Sequence, residues 1–309
     1  MNICFLGCKD NMLISRVKDE NPGCNIVVFD NVDEVNYMLE KADVVIVGRD
    51  PIVSQNVIDK LKACKLIIRN GIGYDNIDVH YAREKKIDVY NVSQYCIDDV
   101  AEHTFALLLN YSRNIYYHCH NHDSWGKSNV ANIRLKGKRL GIVGLGKIGK
   151  RVAEIATSFG LNVIYYDPYI QSCSQYGKMQ SLKEVIRECD FLTIHVPYTD
   201  ETQKMINDDV LECAQGIVII NTSRGKVVDS CAVLNCLENG KVRAFLGDVL
   251  ETEPPVKNAL YNKLGDGYAI HITPHIAFDS DESENDLHRI VCDIIESYFS
   301  GLCVCIPVN

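Results

Sequence analysis

Leu140-Gly141-Ile142-Val143-Gly144-Leu145-Gly146-Lys147-Ile148-Gly149 is the stretch that decides the fold. A GxGxxG pattern by itself is a weak signal. Here an apolar strand (140–143) precedes it and a segment with amphipathic helical spacing (148–159) follows, the context a dinucleotide-binding turn requires. Each glycine has its own reason. Gly144 permits a sharp turn off the strand, Gly146 lets the backbone approach a pyrophosphate, and Gly149 lets the helix pack closely on the strand. The start of the helix, at Lys147 and Ile148, offers unpaired N–H groups and partial positive charge to phosphates. The next strand ends at Tyr165-Tyr166-Asp167, which puts Asp167 roughly 20 residues beyond Gly149, where such a motif places its acid. A carboxylate there accepts hydrogen bonds from the adenosine ribose hydroxyls and repels a 2′-phosphate, so NAD is expected over NADP. The plainer reading of Asp167 is a strand-end turn residue before Pro168.

Outward from this stretch, strand-length apolar runs alternate with helical spacing in both directions. Residues 2–7, 26–29, 44–48, 66–70 and 88–91 read as strands, and intervening segments such as 54–63 and 78–86 as helices. Val44-Val45-Ile46-Val47 and Leu66-Ile67-Ile68 are apolar at every position, as in strands covered on both faces. A long helix is expected over 98–117, with Ala101, Phe105, Leu108 and Leu109 on one side. A polar stretch, 121–138, carries the sole tryptophan, Trp125. The second alternation predicts strands 140–143, 162–166, 191–195, 217–221, 243–249 and 269–272. Helices are predicted at 148–159, 182–187, 208–213 and 230–239, and a final one at 281–299. The fold class expected is therefore α/β, with two doubly wound parallel sheets and a cleft between them for a ligand.

Composition fits that class. At 309 residues the chain is long enough for two ordinary domains, and 47% hydrophobic with 24% charged residues is a globular balance. No apolar run is long enough to span a bilayer, so no membrane role is expected. The first residues read as a strand rather than a secretion signal. The 14 cysteines are scattered without a CxxC pair, and read as small buried hydrophobes kept reduced in a cytoplasmic protein. A net charge of −9 disfavours direct nucleic-acid binding, yet leaves room for a small anion in a locally cationic pocket.

Three polar residues fall just beyond predicted strands: Arg224 after 217–221, Glu253 after 243–249 and His275 after 269–272. In a doubly wound sheet such positions face the cofactor crevice. The combination suits hydride transfer at a carbonyl. A guanidinium binds a carboxylate or keto oxygen in a fork. An imidazolium donates the proton that the new alkoxide needs. A carboxylate beside it orients the ring and favours its charged form. Singly, each has a plain reading: a helix cap or surface pair for Arg224, a solvated acid for Glu253, a turn histidine for His275.

Together with their surroundings these residues resemble the D-isomer-specific 2-hydroxyacid dehydrogenase family over nearly the whole chain. Gly71-Ile72-Gly73-Tyr74-Asp75-Asn76-Ile77-Asp78 is similar to its substrate-domain loop, and Asp98-Asp99-Val100-Ala101-Glu102-His103-Thr104 to the start of its interdomain helix. His195-Val196-Pro197-Tyr198-Thr199 is similar to a cofactor-lining segment. The stretches 221–225, 248–254 and 273–276 match the arginine, acid and histidine motifs in order. The resemblance implies a Rossmann NAD domain (101–275) inserted in a flavodoxin-like substrate domain (1–100 and 276–309). It implies that Arg224 contacts substrate, His275 is the acid/base and Glu253 its partner. It further implies that the N–H groups of Ile72 and Gly73 bind the substrate carboxylate. Thr104, Thr202, Thr222, Ser223 and Asp248 would join His195, Val196 and Pro197 around NAD. The partners it implies are a small 2-keto or 2-hydroxy acid and a second copy of the chain, with 121–138 at the dimer contact. Gln94-Tyr95-Cys96-Ile97-Asp98-Asp99-Val100-Ala101 is most similar to the branch that holds phosphoglycerate dehydrogenase-like enzymes and C-terminal binding proteins. That branch supplies the alternative reading, a non-catalytic NAD(H)-sensing corepressor-like protein.

Three features lie outside this pattern. The family histidine motif continues with two small residues, whereas this chain has His275-Ile276-Ala277-Phe278-Asp279. His118-Cys119-His120-Asn121-His122-Asp123 has an i, i+4 histidine pair that can hold a metal, although a polar helix end explains it as well and no metal is expected. Arg49 and Arg69 stand at probable strand ends, where either can pair with a second anionic group of a substrate.

Overall fold

The structure, a computed structural model, describes residues 1–32, 37–121, 130–170, 174–301 and 307–308. The chain divides into two compact units, Met1–Tyr95 with Ser280–Asn309, and Cys96–Asp279.

The first unit is built on β1 (Asn2–Leu6), β2 (Asn25–Phe29), β3 (Val44–Val47), β4 (Leu66–Arg69) and β5 (Asp88–Asn91), in the order β2-β1-β3-β4-β5. All neighbours are parallel. This is the flavodoxin-type winding, whose strand order reverses between β1 and β3. β3 and β4 are buried at every position, which explains their unbroken apolar runs. The helix Asp281–Ser300 brings the chain back to this unit and buries Leu287, Val291, Ile294 and Ile295. Its buried His288 is hydrogen-bonded through Nε2 to the carboxylate of Asp10, which also caps the helix Asn11–Glu20.

The second unit carries β6 (Arg139–Val143), β7 (Asn162–Tyr166), β8 (Lys178–Met179), β9 (Phe191–Ile194), β10 (Ile217–Asn221), β11 (Val242–Gly247) and β12 (Ile270–Ile272). The order is β12-β11-β10-β9-β6-β7-β8, again all parallel. This is the Rossmann order with one further strand at the β12 edge, and its switch point lies between β6 and β9. Ile217 and Ile219 enter one core cluster while Val218 and Ile220 enter another, so β10 is sandwiched between two apolar layers. Truncating one such side chain costs about 2–5 kcal/mol. An exposed ion pair such as Lys183–Asp209 is screened by water and adds little beside that, so apolar burial holds the sheet.

The expected helix over 98–117 is two helices, Ile97–Arg113 and Ile115–His120, because Asn114 between them is left-handed at φ 51°. Asparagine tolerates this conformation, and its Nδ2 donates to Ala131 O and Asn132 Oδ1. The helix expected over 54–63 shortens to Gln55–Ile58. Trp125 and His122 lie outside the described residues. Among the described residues no helix is long and apolar enough to cross a membrane.

Cys4, Cys64, Cys189 and Cys292 are buried, and burial pushes their thiols up to about 12. Only the thiolate attacks an alkylating agent. At pH 8 iodoacetamide is therefore expected to label exposed Cys119 and Cys231 in the native protein and these four only after unfolding. Peptide mass spectrometry of native and urea-treated samples checks this, and fast native labelling at Cys64 or Cys189 would contradict the burial.

Candidate active site

The turn after β6 has the shape the sequence requires. Gly144 has φ +93°, and a Cβ there would meet His195 O at 2.7 Å. A Cβ on Gly149 would meet Gly144 O at 2.1 Å, so the helix Lys147–Ser158 starts in backbone contact with the turn. A Cβ on Gly146, the N-cap, would meet nothing within 4 Å, so the space over the first helical turn is open. Lys147 is exposed there and Ile148 half-buried. Asp167, at the end of β7, is only 8% exposed. Its carboxylate accepts from Leu145 N at 2.8 Å and from Tyr169 N at 2.9 Å, which ties the acid to the glycine turn. A carboxylate has about four acceptor positions, so two remain for ribose hydroxyls. An open helix N-terminus beside a fixed acid suits a dinucleotide without a 2′-phosphate.

Past β9, His195 is half-buried and its Nε2 is paired with Thr193 Oγ1 at 2.8 Å. Burial lowers its pKa to about 3, so the ring is neutral. Val196 and Pro197 follow, and Thr202 stitches their turn by donating to Pro197 O at 2.7 Å and accepting from Thr199 N at 2.8 Å. Thr104 and Thr222 are buried with hydroxyls 3.0 Å apart, linking the helix Ile97–Arg113 to the end of β10.

The three chemical residues sit at the carboxyl ends of three adjacent parallel strands, β10, β11 and β12. Buried Asn221 shapes the Arg224 turn: Oδ1 accepts from Ser223 N and Oγ, and Nδ2 donates to Arg224 O at 3.0 Å. Arg224 Nη1 donates to Ser223 O at 2.8 Å. Gly225 allows a close approach, since a Cβ there would lie 1.9 Å from the carbonyl carbon of Leu250, in the loop that leads to Glu253. Glu253 Oε2 is 2.6 Å from His275 Nδ1. His275 itself has φ +58°, a left-handed conformation that costs a non-glycine residue about 1–3 kcal/mol. Buried Asp248 holds it there, its carboxylate accepting from Thr273 Oγ1, Ile276 N and Ala277 N and its carbonyl from His275 N. The Phe278 ring meets the His275 ring edge-on at 6.2 Å.

In the first unit, the loop with Ile72 and Gly73 follows β4, and Asn91 Nδ2 donates to Ile72 O at 2.5 Å. Arg49 follows β3, is exposed and pairs with Asp50 at 3.2 Å. Arg69, at the end of β4, is buried and donates to Asn70 O at 2.6 Å. Sequence reasoning missed Asn221 and the contact of His103 with Thr273 at 2.9 Å. A strand-end asparagine was a legible signal for the first, and nothing local signals the second.

The family profile described as "D-isomer specific 2-hydroxyacid dehydrogenase, NAD binding domain" matches residues 105–277. D-3-phosphoglycerate dehydrogenase of Methanocaldococcus jannaschii is 35% identical over 279 residues, 87% of this chain and 52% of that protein. Hydroxypyruvate reductase of Thermotoga maritima is 34% identical over 273 residues, 87% of this chain and 88% of that one. The structure of D-lactate dehydrogenase from Aquifex aeolicus complexed with NAD and lactic acid superposes with a TM-score of 0.85 at 28% identity, covering 97% of this chain and 96% of that one. The chain spans about half the length of the phosphoglycerate dehydrogenases it matches first.

Neutral His195 has a consequence for stability. Its folded pKa of about 3 lies below the ordinary 6.5, so between those values the unfolded chain takes up a proton that the folded chain refuses. Stability from this group is full above pH 6.5 and declines as pH falls through that window. Between pH 7.5 and 5 the wild type is expected to lose at most about 2 kcal/mol more than His195→Asn. Urea unfolding of both proteins at the two pH values checks this, and equal losses would refute it.

Proposed function

The chain belongs to the D-isomer-specific 2-hydroxyacid dehydrogenase family, and from that footing we propose that it is an NAD-dependent oxidoreductase acting at C2 of a small 2-keto or 2-hydroxy acid, with D stereochemistry. The observation that carries the reading is the His275–Glu253 pair at 2.6 Å, held at the ends of adjacent strands next to the Arg224 turn. Bound NAD(H) supplies or accepts the hydride. Glu253 engages Nδ1, which assigns proton transfer to His275 Nε2. During reduction C2 gains the hydride, the carbonyl electron pair moves to oxygen, and that oxygen takes the Nε2 proton. Oxidation returns the proton to the same atom. Arg224, with five N–H donors in a planar fork, binds the substrate's carboxylate or keto oxygen and polarises the carbonyl. Ile72 and Gly73 offer backbone N–H groups to the carboxylate, and Arg49 adds charge.

For the cofactor, Gly144, Gly146, Lys147, Ile148 and Gly149 receive the pyrophosphate and Asp167 the adenosine ribose. His195, Val196, Pro197 and Ser223 line the remainder. Thr104, Thr202, Thr222 and Asp248, whose polar atoms bond within the protein, shape those segments. The sequence-derived boundaries, 101–275 for the NAD domain and the rest for the substrate domain, belong to this proposal. So do a cytoplasmic location, where buried thiols stay reduced, and a homodimer through 121–138. Exposed Ile115, Tyr116 and Tyr117 lie a few residues before that segment.

Purified protein with NADH and a panel of 2-keto acids is expected to consume NADH. His275→Ala should lower kcat about 100- to 10,000-fold while NADH binding stays nearly unchanged. Tight NADH binding by the wild type with no turnover on any keto acid would favour the NAD-sensing alternative. Separately, Asp167→Ala is expected to weaken NADH binding and narrow the preference over NADPH, read by fluorescence titration of each. An unchanged preference would remove Asp167 from the ribose site.

A further inference from the structure

The turn that presents His275 hangs on one carboxylate. Asp248 Oδ1 accepts from Thr273 Oγ1 at 2.6 Å and from Ile276 N at 2.9 Å, and Oδ2 accepts from Ala277 N at 2.8 Å. Asp248 O accepts from His275 N at 2.9 Å. The residues flanking His275 are therefore fixed from both sides, and the left-handed backbone at His275 lies between the fixed points.

Thr273 has a second short contact, to His103 Nε2 at 2.9 Å. A hydroxyl carries one hydrogen, and the 2.6 Å bond to a buried carboxylate takes it. The Thr273 oxygen is then the acceptor toward His103, which requires hydrogen on His103 Nε2. The same ring nitrogen lies 3.7 Å from Asp248 Oδ1. The Thr273 hydroxyl has one competing acceptor nearby, Gly247 O at 3.5 Å. A donor at His103 turns the lone pair of Thr273 toward itself and the hydrogen toward Asp248. Without it, only the Asp248 carboxylate keeps the hydroxyl from turning toward Gly247 O, and that tether of the turn loosens.

We propose that His103 is a positioning residue for His275, acting through the Thr273 hydroxyl and the Asp248 carboxylate. His103 sits in the helix Ile97–Arg113, 170 positions from Thr273 along the chain, and its side chain is 19% exposed. All the residues of the relay lie in the second unit. The consequence for activity rests on the reading of His275 as the acid/base. The consequence for the turn does not.

The test compares His103→Leu, His103→Gln, Thr273→Val and the double variant His103→Leu/Thr273→Val in the full-length protein. With NADH and the best 2-keto acid of the panel, His103→Leu is expected to lower kcat about 10- to 100-fold, the scale of a displaced catalytic group. KM for NADH should stay within about 2-fold. His103→Gln, whose amide restores an N–H donor, should recover most of kcat. The double variant should be no worse than the poorer single one, because both remove the same relay. In the apoprotein, amide exchange at Ile276 and Ala277 should accelerate in His103→Leu and Thr273→Val but not in His103→Gln, while Leu192 and Ile219 in the sheet keep their protection. This second readout needs no turnover. If His275→Ala retained activity, the acid/base reading would fall while the exchange result still judged the relay. Unchanged exchange at Ile276 and Ala277, additive losses in the double variant, or a glutamine no better than leucine would overturn the proposal.

Discussion

Every strand in each sheet runs in the same direction, so every exit from a strand in a unit lies along one edge of its sheet. Parallel pairing imposes this, because each crossover must return the chain to the opposite edge before the next strand begins. In the second unit the consequence is chemical. The glycine turn leaves β6, His195 follows β9, and Arg224, Glu253 and His275 follow β10, β11 and β12. Residues well apart in sequence come to adjacent loops because β10, β11 and β12 are neighbours in the sheet. Bringing these residues to one edge needs no loop of special length; it needs the strand order.

Strand order brings loops to the same edge but does not fix them within an ångström. That precision comes from carboxylates and an amide bonded to backbone. Asp167 binds the amide of Leu145 and so joins the end of β7 to the glycine turn. Asp248 binds the amides of Ile276 and Ala277 and so joins the end of β11 to the turn beyond β12. Asn221 does the same within the Arg224 turn. A buried carboxylate stripped of its donors is costly, by several kcal/mol for an uncompensated charge. Each of these side chains therefore resists movement of the loop it holds far more than a surface ion pair would. Gly225 works by contact instead, since any side chain there would push the Arg224 turn off the loop leading to Glu253.

This division also explains what the amino-acid sequence disclosed. Strand runs such as Val44–Val47 and the glycine turn are local patterns, each dictated by burial or by backbone geometry over a few residues, and they were legible. So were the residue types at strand ends, because a doubly wound sheet puts those positions at its crevice. The break at Asn114 was not, since the helical spacing continues through it and only φ 51° interrupts the axis. The two-residue strand Lys178–Met179 is too short to carry a period. The bond between His103 and Thr273 spans 170 positions and depends on which helix face meets which turn, information that no local pattern contains.

The chain's departure from its family at Phe278 can be placed in the same terms. The ring of His275 has Glu253 on Nδ1 at 2.6 Å and the edge of Phe278 at 6.2 Å, while its backbone is held by Asp248. An imidazole on a left-handed backbone has lost the usual relation between main chain and rotamer, so its direction must be set by what surrounds it. A small residue at position 278 would leave that task to the carboxylate alone. A phenyl ring adds a second neighbour, its ring edge-on to the imidazole at 6.2 Å. The aromatic side chain is therefore compatible with the His275–Glu253 pairing, because it meets the same ring that Glu253 holds at Nδ1 and whose backbone Asp248 holds.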